Sequence, residues 1–538
     1  MTEILLENVN IVTIDPGLPR ASALLIRDGV IQAVGELDAV QAQATRSASR
    51  IDGQGRTVLP GFVDAHAHLE LLAYAREIAV DCRHPRVGSI EDIVRVLRER
   101  ADSTPGGTWI LGHGSHYQDS KLAERRYPDR YDLDRVSDQH PVIFRSSYHS
   151  NVFNSYALRA LGVDRDTPAV PGGRIEHDEN GEPTGRTFDM FGALGVPEEP
   201  VESLAAAMTL AQDAYLSYGV TSLGDFPLHP NGVSAVLHMA AKGDLRLRMA
   251  MYPKYPSVVR DADLASTDDR FGFEGLATDR VRHVGVKIFL DGGLTSSAAA
   301  LYDPYPGTDD YRGELAYNEN ELAELVRTVA GRGLQCTIHA IGDRALDIAI
   351  AALEKLPAGG HRIEHAGNLF VTEERIRRML DAGIVAVPQP GFLLTTASGY
   401  RAHLGEARTG EIMPFRRLLD AGMRLPGNSD AIGITLRQED PLLGIKAAVT
   451  RVTADGEAIE PGQAITIDEA LAMYTINAAA AIGFDDQIGS ITVGKRADFA
   501  VFDRDPTTVD PLEITDLRVV ETWSNGEVVY QSTAAVTK

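Results

Sequence analysis

Cysteine is nearly absent from this chain of 538 residues: there are two, Cys82 and Cys336, far apart and in no Cys-x-x-Cys pair. That excludes a disulfide framework and a thiolate zinc knuckle, and fits a reduced, cytoplasmic setting. Basic charge is also short, with 52 Lys plus Arg against 76 Asp plus Glu and a net charge of −24. Such a surplus of carboxylates repels phosphate backbones and anionic lipid, so neither nucleic acid nor a membrane surface is expected as a partner. No run approaches the ~18 apolar residues of a membrane span, and the opening MTEILLENVNIVTIDPG lacks a basic leader, so neither export nor a span is expected. The surplus acidity reads as solubility rather than as a sign of a cationic substrate. What remains, 44% hydrophobic and 24% charged residues, is the composition of an ordinary globular chain.

Both ends read as β-rich: Ile4 to Ile14, Ala23 to Val34 and Thr57 to Leu59 at the front, Phe499 to Phe502 and Val519 to Val529 at the back. Asp28-Gly29, Asp52-Gly53 and Asn525-Gly526 supply turns. Short strands cannot bury two faces alone, so the ends are expected to pair into one small β-sandwich, 1–59 with 486–538. The middle, 60–485, alternates short apolar segments with amphipathic helical ones such as Glu321 to Ala330, Arg344 to Leu356, Glu373 to Ala382 and Ile467 to Ile482. Eight strand candidates can be counted: Val58 to Leu69, Val220 to Phe226, Leu245 to Tyr252, Val284 to Leu290, Gln335 to Ile341, Arg362 to His365, Ile384 to Pro388 and Arg424 to Asp430. Eight repeats point to an α/β fold closed as a (β/α)8 TIM-like barrel. About 150 residues separate the first two candidates, more than one crossover needs, so an inserted α+β subdomain is expected at about 75–200. Following the first strand, it would emerge at the C-terminal face, where barrel enzymes keep their active sites.

The strongest local signal is Gly61-Phe62-Val63-Asp64-Ala65-His66-Ala67-His68. Strand side chains alternate with period two, so His66 and His68 share a face and can bind one ion. Three further strand candidates end in Thr337-Ile338-His339, Ile363-Glu364-His365 and Asn428-Ser429-Asp430. Singly, each histidine could be a hydrogen-bonded core residue, and Asp430 a helix cap. Together, four imidazoles and a carboxylate would converge on one mouth, which calls for a compensating cation. Imidazole and carboxylate ligands suit a divalent metal, zinc first, with iron, manganese or nickel as alternatives.

With those motifs, the chain resembles the amidohydrolase superfamily, in particular the family 3 branch with N-substituted formamide deformylases and exoenzyme-regulator-like proteins. The resemblance covers nearly the whole chain through GFVDAHAHL, VKIFLDGG, IHAIGDRA, RIEHAG and IGSITVGKRADFAVFD. It implies His66, His68, His339 and His365 as metal ligands and Asp430 as ligand and proton shuttle. In similar proteins the lysine at the position of Lys287 is carboxylated by carbon dioxide and bridges two metals. One ion or two is left open here, as is the alternative of an ordinary Lys287 paired with a carboxylate such as Asp291. His149, in Tyr148-His149-Ser150, resembles a family segment that reaches the active site, and His149 and Asp291 are candidate substrate contacts. The chain departs from its relatives after Asp291-Gly292-Gly293, reading Ser296-Ser297-Ala298-Ala299 where many carry an arginine.

The expected activity is hydrolysis of a non-peptide carbon–nitrogen bond by metal-activated water, with Asp430 moving the proton and a small molecule as substrate. Deamination or ester hydrolysis on the same site is the nearest alternative, and a non-catalytic regulatory ligand-binding protein is the alternative of another class. Self-association into a homo-oligomer is left open.

Overall fold

A computed structural model describes residues 2–190, 192–265 and 279–533. The two ends meet, but in one hydrogen-bonded mixed sheet of eight strands rather than two stacked sheets. Thr57–Pro60 is its hinge, pairing parallel with Glu3–Val12 and antiparallel with Phe499–Phe502. The Asp28-Gly29 and Asn525-Gly526 turns have positive φ at both positions, as tight hairpins with right-handed strand twist require. Leu24 and Ile26 from one end share a buried cluster with Phe499, Val501 and Trp523 from the other.

Among the described residues the middle of the chain supplies nine parallel strands in two half-sheets, two of them the short Val281–His283 and Lys254–Tyr255 at the seam between the halves. β1 (Phe62–Ala67), β2 (Val220–Asp225) and β3 (Arg248–Met251) make up the rest of one, and β4 (Gly285–Phe289), β5 (Gln335–His339), β6 (Arg362–Glu364) and β7 (Val385–Val387) the rest of the other. At one seam the Val284 N–H donates to Met251 O at 3.1 Å and the Lys287 N–H to Pro253 O at 3.1 Å. At the other, the Arg424 to Asp430 segment carries no strand of its own, contrary to expectation. Pro426 has no N–H to give a ladder, and Gly427 N–H donates to Met473 O at 2.8 Å instead. The segment still closes the ring: Ala65 N–H donates to Gly427 O at 3.1 Å, Asp430 N–H to His66 O at 2.8 Å, and Asn428 Nδ2 to Pro388 O at 2.6 Å.

The first strand candidate also divides, at Gly61. Its N-terminal part joins the terminal sheet and its C-terminal part becomes β1. A Cβ at Gly61 would lie 2.3 Å from Thr221 Oγ1, so only glycine lets the chain cross from one sheet to the other here. The expected helix Ile467 to Ile482 is interrupted by a π-helical stretch, Met473–Asn477.

Between β1 and β2 a six-stranded sheet is built from Val80–Asp81, Ile110–His113, Val142–Ser147, Ser150–Phe153, Arg174–His177 and Pro183–Phe188. Helix Ile90–Asp102, capped by Ser89 Oγ accepting from Asp92 N, buries Ile93, Val94 and Leu97 against it. This unit has its own two apolar clusters, so it is not an extension of the barrel core. Among the described residues no helix is long and apolar enough to cross a membrane.

Candidate metal centre

Because β1 to β7 run in one direction, residues at their C-terminal ends meet at one mouth. His66 lies in β1 with His68 just beyond it, Lys287 in β4, His339 at the end of β5 and His365 just after β6. Asp430 arrives from the closing segment, in the left-handed region at φ 48°. These six residues and His149 all line one small cavity of about 70 Å³.

The tightest group is His66, His68 and Asp430, whose potential ligand atoms lie within 4.8 Å of one another. Asp430 Oδ1 is 3.5 Å from His66 Nε2 and 3.3 Å from His68 Nε2. The other ring nitrogen is tied down each time: His66 Nδ1 lies 2.6 Å from Glu364 Oε2, His68 Nδ1 2.8 Å from Phe226 O and His365 Nδ1 2.7 Å from Gln389 Oε1. A carboxylate or carbonyl oxygen only accepts, so Nδ1 carries the proton and Nε2 is left as a lone pair. Buried His339 Nε2 has no hydrogen-bond partner at all, and its nearest carboxylate atom, Asp291 Oδ1, is 3.7 Å away. Converging Nε2 lone pairs, one of them orphaned, beside a carboxylate are the donor set of a divalent cation, and the residues fit one.

The electrostatics agree. Burial, then the Lys287 ammonium, holds His66 well below the ordinary imidazole range, and burial pushes His365 down to about 4. Burial alone would raise the Asp430 carboxyl, but positive charge shared among the His66, His68 and His365 rings offsets it and holds it well below the usual range. Neutral imidazoles and an ionised carboxylate are the protonation states a metal needs.

Lys287 is buried, and burial brings its ammonium down to about 8. Its Nζ sits 3.5 Å from His66 Nε2 and against the Phe226 and Phe289 rings, 4.8 and 4.9 Å from their centroids. The alternative pairing with Asp291 is not formed: among the described residues no carboxylate lies within ion-pair distance of Lys287, and Asp291 accepts the Ala300, Ile341 and Gly342 N–H groups at 2.9–3.1 Å. Asp291 anchors the loop after β5 and lines the cavity next to this one, on the far side of Phe289. His149 lines the metal-centre cavity itself, its Nδ1 held by Asp189 Oδ1. Burial alone would lower His149, but Asp189 holds it above the ordinary range.

Several supporting residues escape the sequence reading. Glu364, within the quoted Ile363-Glu364-His365, receives two hydrogen bonds from the buried Arg362 guanidinium, at 2.8 and 3.0 Å, as well as the one from His66. Asp64, two residues before His66, accepts the His66 and Ser429 N–H groups at 3.2 and 3.0 Å and so sews β1 to the segment that carries Asp430. His116 and Tyr148 reach the cavity from the inserted sheet region, and Phe392 and Tyr400 from beyond β7. Apart from Lys287, Asp430 and the histidines, the lining has no charged side chain.

Comparison with known proteins follows this geometry. An N-substituted formamide deformylase of Arthrobacter pascens is 30% identical over 550 residues, covering 99% of each chain. A putative amidohydrolase, YtcJ, of Bacillus subtilis is 30% identical over 528 residues, 95% of this chain and 96% of that one. The crystal structure of an uncharacterised metal-dependent hydrolase from Pyrococcus furiosus superposes with a TM-score of 0.73 at 27% identity, covering 94% of this chain and all of the other. The model of the amidohydrolase family matches residues 50–530, and the chain belongs to that family.

Proposed function

We propose that the chain hydrolyses a non-peptide carbon–nitrogen bond, in an amide, formamide or cyclic amide, on a (β/α)8 barrel roofed by the inserted α+β unit. The observation that carries this reading is the His66, His68 and Asp430 cluster with its Nε2 lone pairs turned inward. A divalent cation held there, with zinc the best match to the ligand types, would make water nucleophilic at neutral pH and polarise a carbonyl. Asp430, ionised and beside both imidazoles, takes the proton from the attacking water and delivers it to the departing nitrogen, which would otherwise leave as an unstable anion. His149, braced by Asp189, donates to the carbonyl oxygen as it gains charge. The uncharged lining favours a substrate that is neutral away from the scissile bond. The name of the Arthrobacter relative supports an amide as the bond cleaved.

For Lys287 we propose the carbamate. Carbon dioxide adding to the neutral amine, with loss of one proton, would replace an unpaired buried cation by an oxygen ligand for one metal or two.

The test is metal analysis with an activity screen on amides, lactams, carbamates, esters and aminopyrimidines, before and after chelation. Amide turnover that chelator abolishes and metal restores is expected. Turnover of esters or aminopyrimidines alone moves the assignment to the neighbouring chemistries, and metal-independent ligand binding without turnover moves it to a regulatory protein.

A further inference from the structure

His116 reaches the metal-centre cavity from the inserted unit, and among the described residues its ring makes no hydrogen bond. Its polar neighbours in the wall are engaged. Asn368 is tied at both ends of its amide to Gln389, at 2.6 and 3.0 Å, Thr396 Oγ1 donates to Phe392 O at 2.7 Å, and the Tyr148 hydroxyl meets His229 Nε2 at 3.0 Å. Thr295 stands with His149: a Cβ at Gly293 would lie 3.4 Å from Thr295 Oγ1 and 3.3 Å from the His149 ring. That pair belongs to the side on which the carbonyl oxygen is held, and His116 is left for another part of the substrate.

The backbone under His116 is closely fixed. Gly114 N–H donates to Arg145 O at 2.8 Å, Ser115 N–H to Gln118 Oε1 at 2.7 Å, and Lys121 Nζ to the His116 carbonyl at 2.8 Å. Tyr117, next in the chain, has φ 51°, a costly conformation for a residue with a Cβ. The Tyr117 ring packs on Gly399, where a Cβ would lie 2.3 Å from it, while the His116 ring stands edge-on to Phe392 at the cavity, centroids 6.4 Å apart. Strain of this kind persists where the surroundings impose it, and it clusters at binding and catalytic sites. A fixed backbone that presents an unengaged ring to a cavity suits a ligand contact, whereas a core histidine would have its nitrogens paired. Burial holds the ring down to about 3, so at neutral pH it offers one N–H and one lone pair. The charge that acts on it most strongly is the Asp430 carboxylate. Asp430 delivers its proton to the departing nitrogen, so the substrate group that comes nearest to His116 is that nitrogen.

We propose that His116 binds the substrate by accepting the N–H of the scissile amide, so that formamides, secondary amides and lactams are selected over amides whose nitrogen carries no hydrogen. The assignment rests on the reading of the metal centre as an amide-hydrolysing site, and its test separates the two. N-methylacetamide and N,N-dimethylacetamide differ in that one N–H is replaced by a methyl group. In the full-length, metal-loaded protein, His116→Phe keeps a ring against Phe392 but has no acceptor. It should lower kcat/KM ~10-fold for N-methylacetamide, mainly through KM, and less than ~2-fold for N,N-dimethylacetamide, with metal content unchanged. His116→Gln, which restores a side-chain oxygen, should recover part of the loss on N-methylacetamide alone. Equal losses on both amides, or no loss on either, would overturn the assignment. If His116→Phe does not fold, His116→Leu gives the same reading. Should no amide be turned over, calorimetric Kd values for the same two amides decide. A weakening of ~10-fold confined to N-methylacetamide keeps His116 as the N–H acceptor while the hydrolytic reading falls. Kd values that shift equally, or binding of neither amide, overturn the assignment.

Discussion

Three of the imidazoles at the centre depend on acceptors that the motifs containing them do not advertise. His66 leans on Glu364 from β6, His68 on the Phe226 carbonyl after β2, and His365 on Gln389 after β7. The sequence shows which histidines stand two apart or close a strand, because spacing and strand ends are local properties. It does not show which ring nitrogen is protonated, because that is set by groups brought in from elsewhere in the ring. The same division marks Asp430. Its place after the eighth segment is legible, but its low proton affinity comes from three rings on other strands. Asp430→Asn keeps shape and one oxygen while removing the proton acceptor, so kcat should fall by ~10²-fold or more with metal content largely kept. Measuring kcat against pH with metal content on the same preparations checks this; near wild-type turnover with the same acidic limb would remove Asp430 as shuttle. Lys287→Ala should be inactive, and short carboxylic acids with added metal should restore part of the rate by supplying the missing oxygens. Full activity and metal content in that variant would end the carbamate proposal.

At the scale of elements, the alternation of apolar and amphipathic segments is a faithful guide, and its failures have specific causes. Helix Glu373–Ala382 stands where the pattern puts it, and β5 starts at Gln335 as expected but ends at His339. The first and last barrel segments depart because one residue in each breaks the ladder. Gly61 lets a single apolar run serve two sheets, and Pro426 leaves the closing segment extended but without a ladder. Hydrophobicity is blind to both, since neither changes which residues are buried. Gly61→Ala should lower Tm through a clash costing about 1–3 kcal/mol, and Gly61→Ala/Thr221→Ala should recover much of it. Unfolding of the two single variants and the double tests the contact, and an unchanged Tm for Gly61→Ala would remove it.

Across the whole molecule, the terminal sheet is joined to the barrel by a buried ion pair. Arg248 at the start of β3 donates from Nε to Asp498 Oδ2 at 2.7 Å and from Nη1 to Asp279 O at 3.0 Å, with both side chains essentially inaccessible. Nothing in the sequence pairs residues 248 and 498, since they meet only once both units exist. Arg248→Met leaves Asp498 buried with no cation and should destabilise by about 3–5 kcal/mol, whereas Arg248→Met/Asp498→Leu should lose less. Chemical unfolding of the two variants decides it, and equal losses would mean that the pair acts only through packing.

The pairing of Thr57–Pro60 with Phe499–Phe502 has a consequence for biosynthesis. The strand that leads straight into His66 lacks a neighbour on one side until the ribosome has passed residue 502. The ring segment bearing Asp430 likewise emerges long after β1 has left the exit tunnel. A nascent chain therefore holds its histidines without the frame that turns them inward, so binding of the proposed ion would wait until the segment bearing Asp430 and the strand Phe499–Phe502 have emerged.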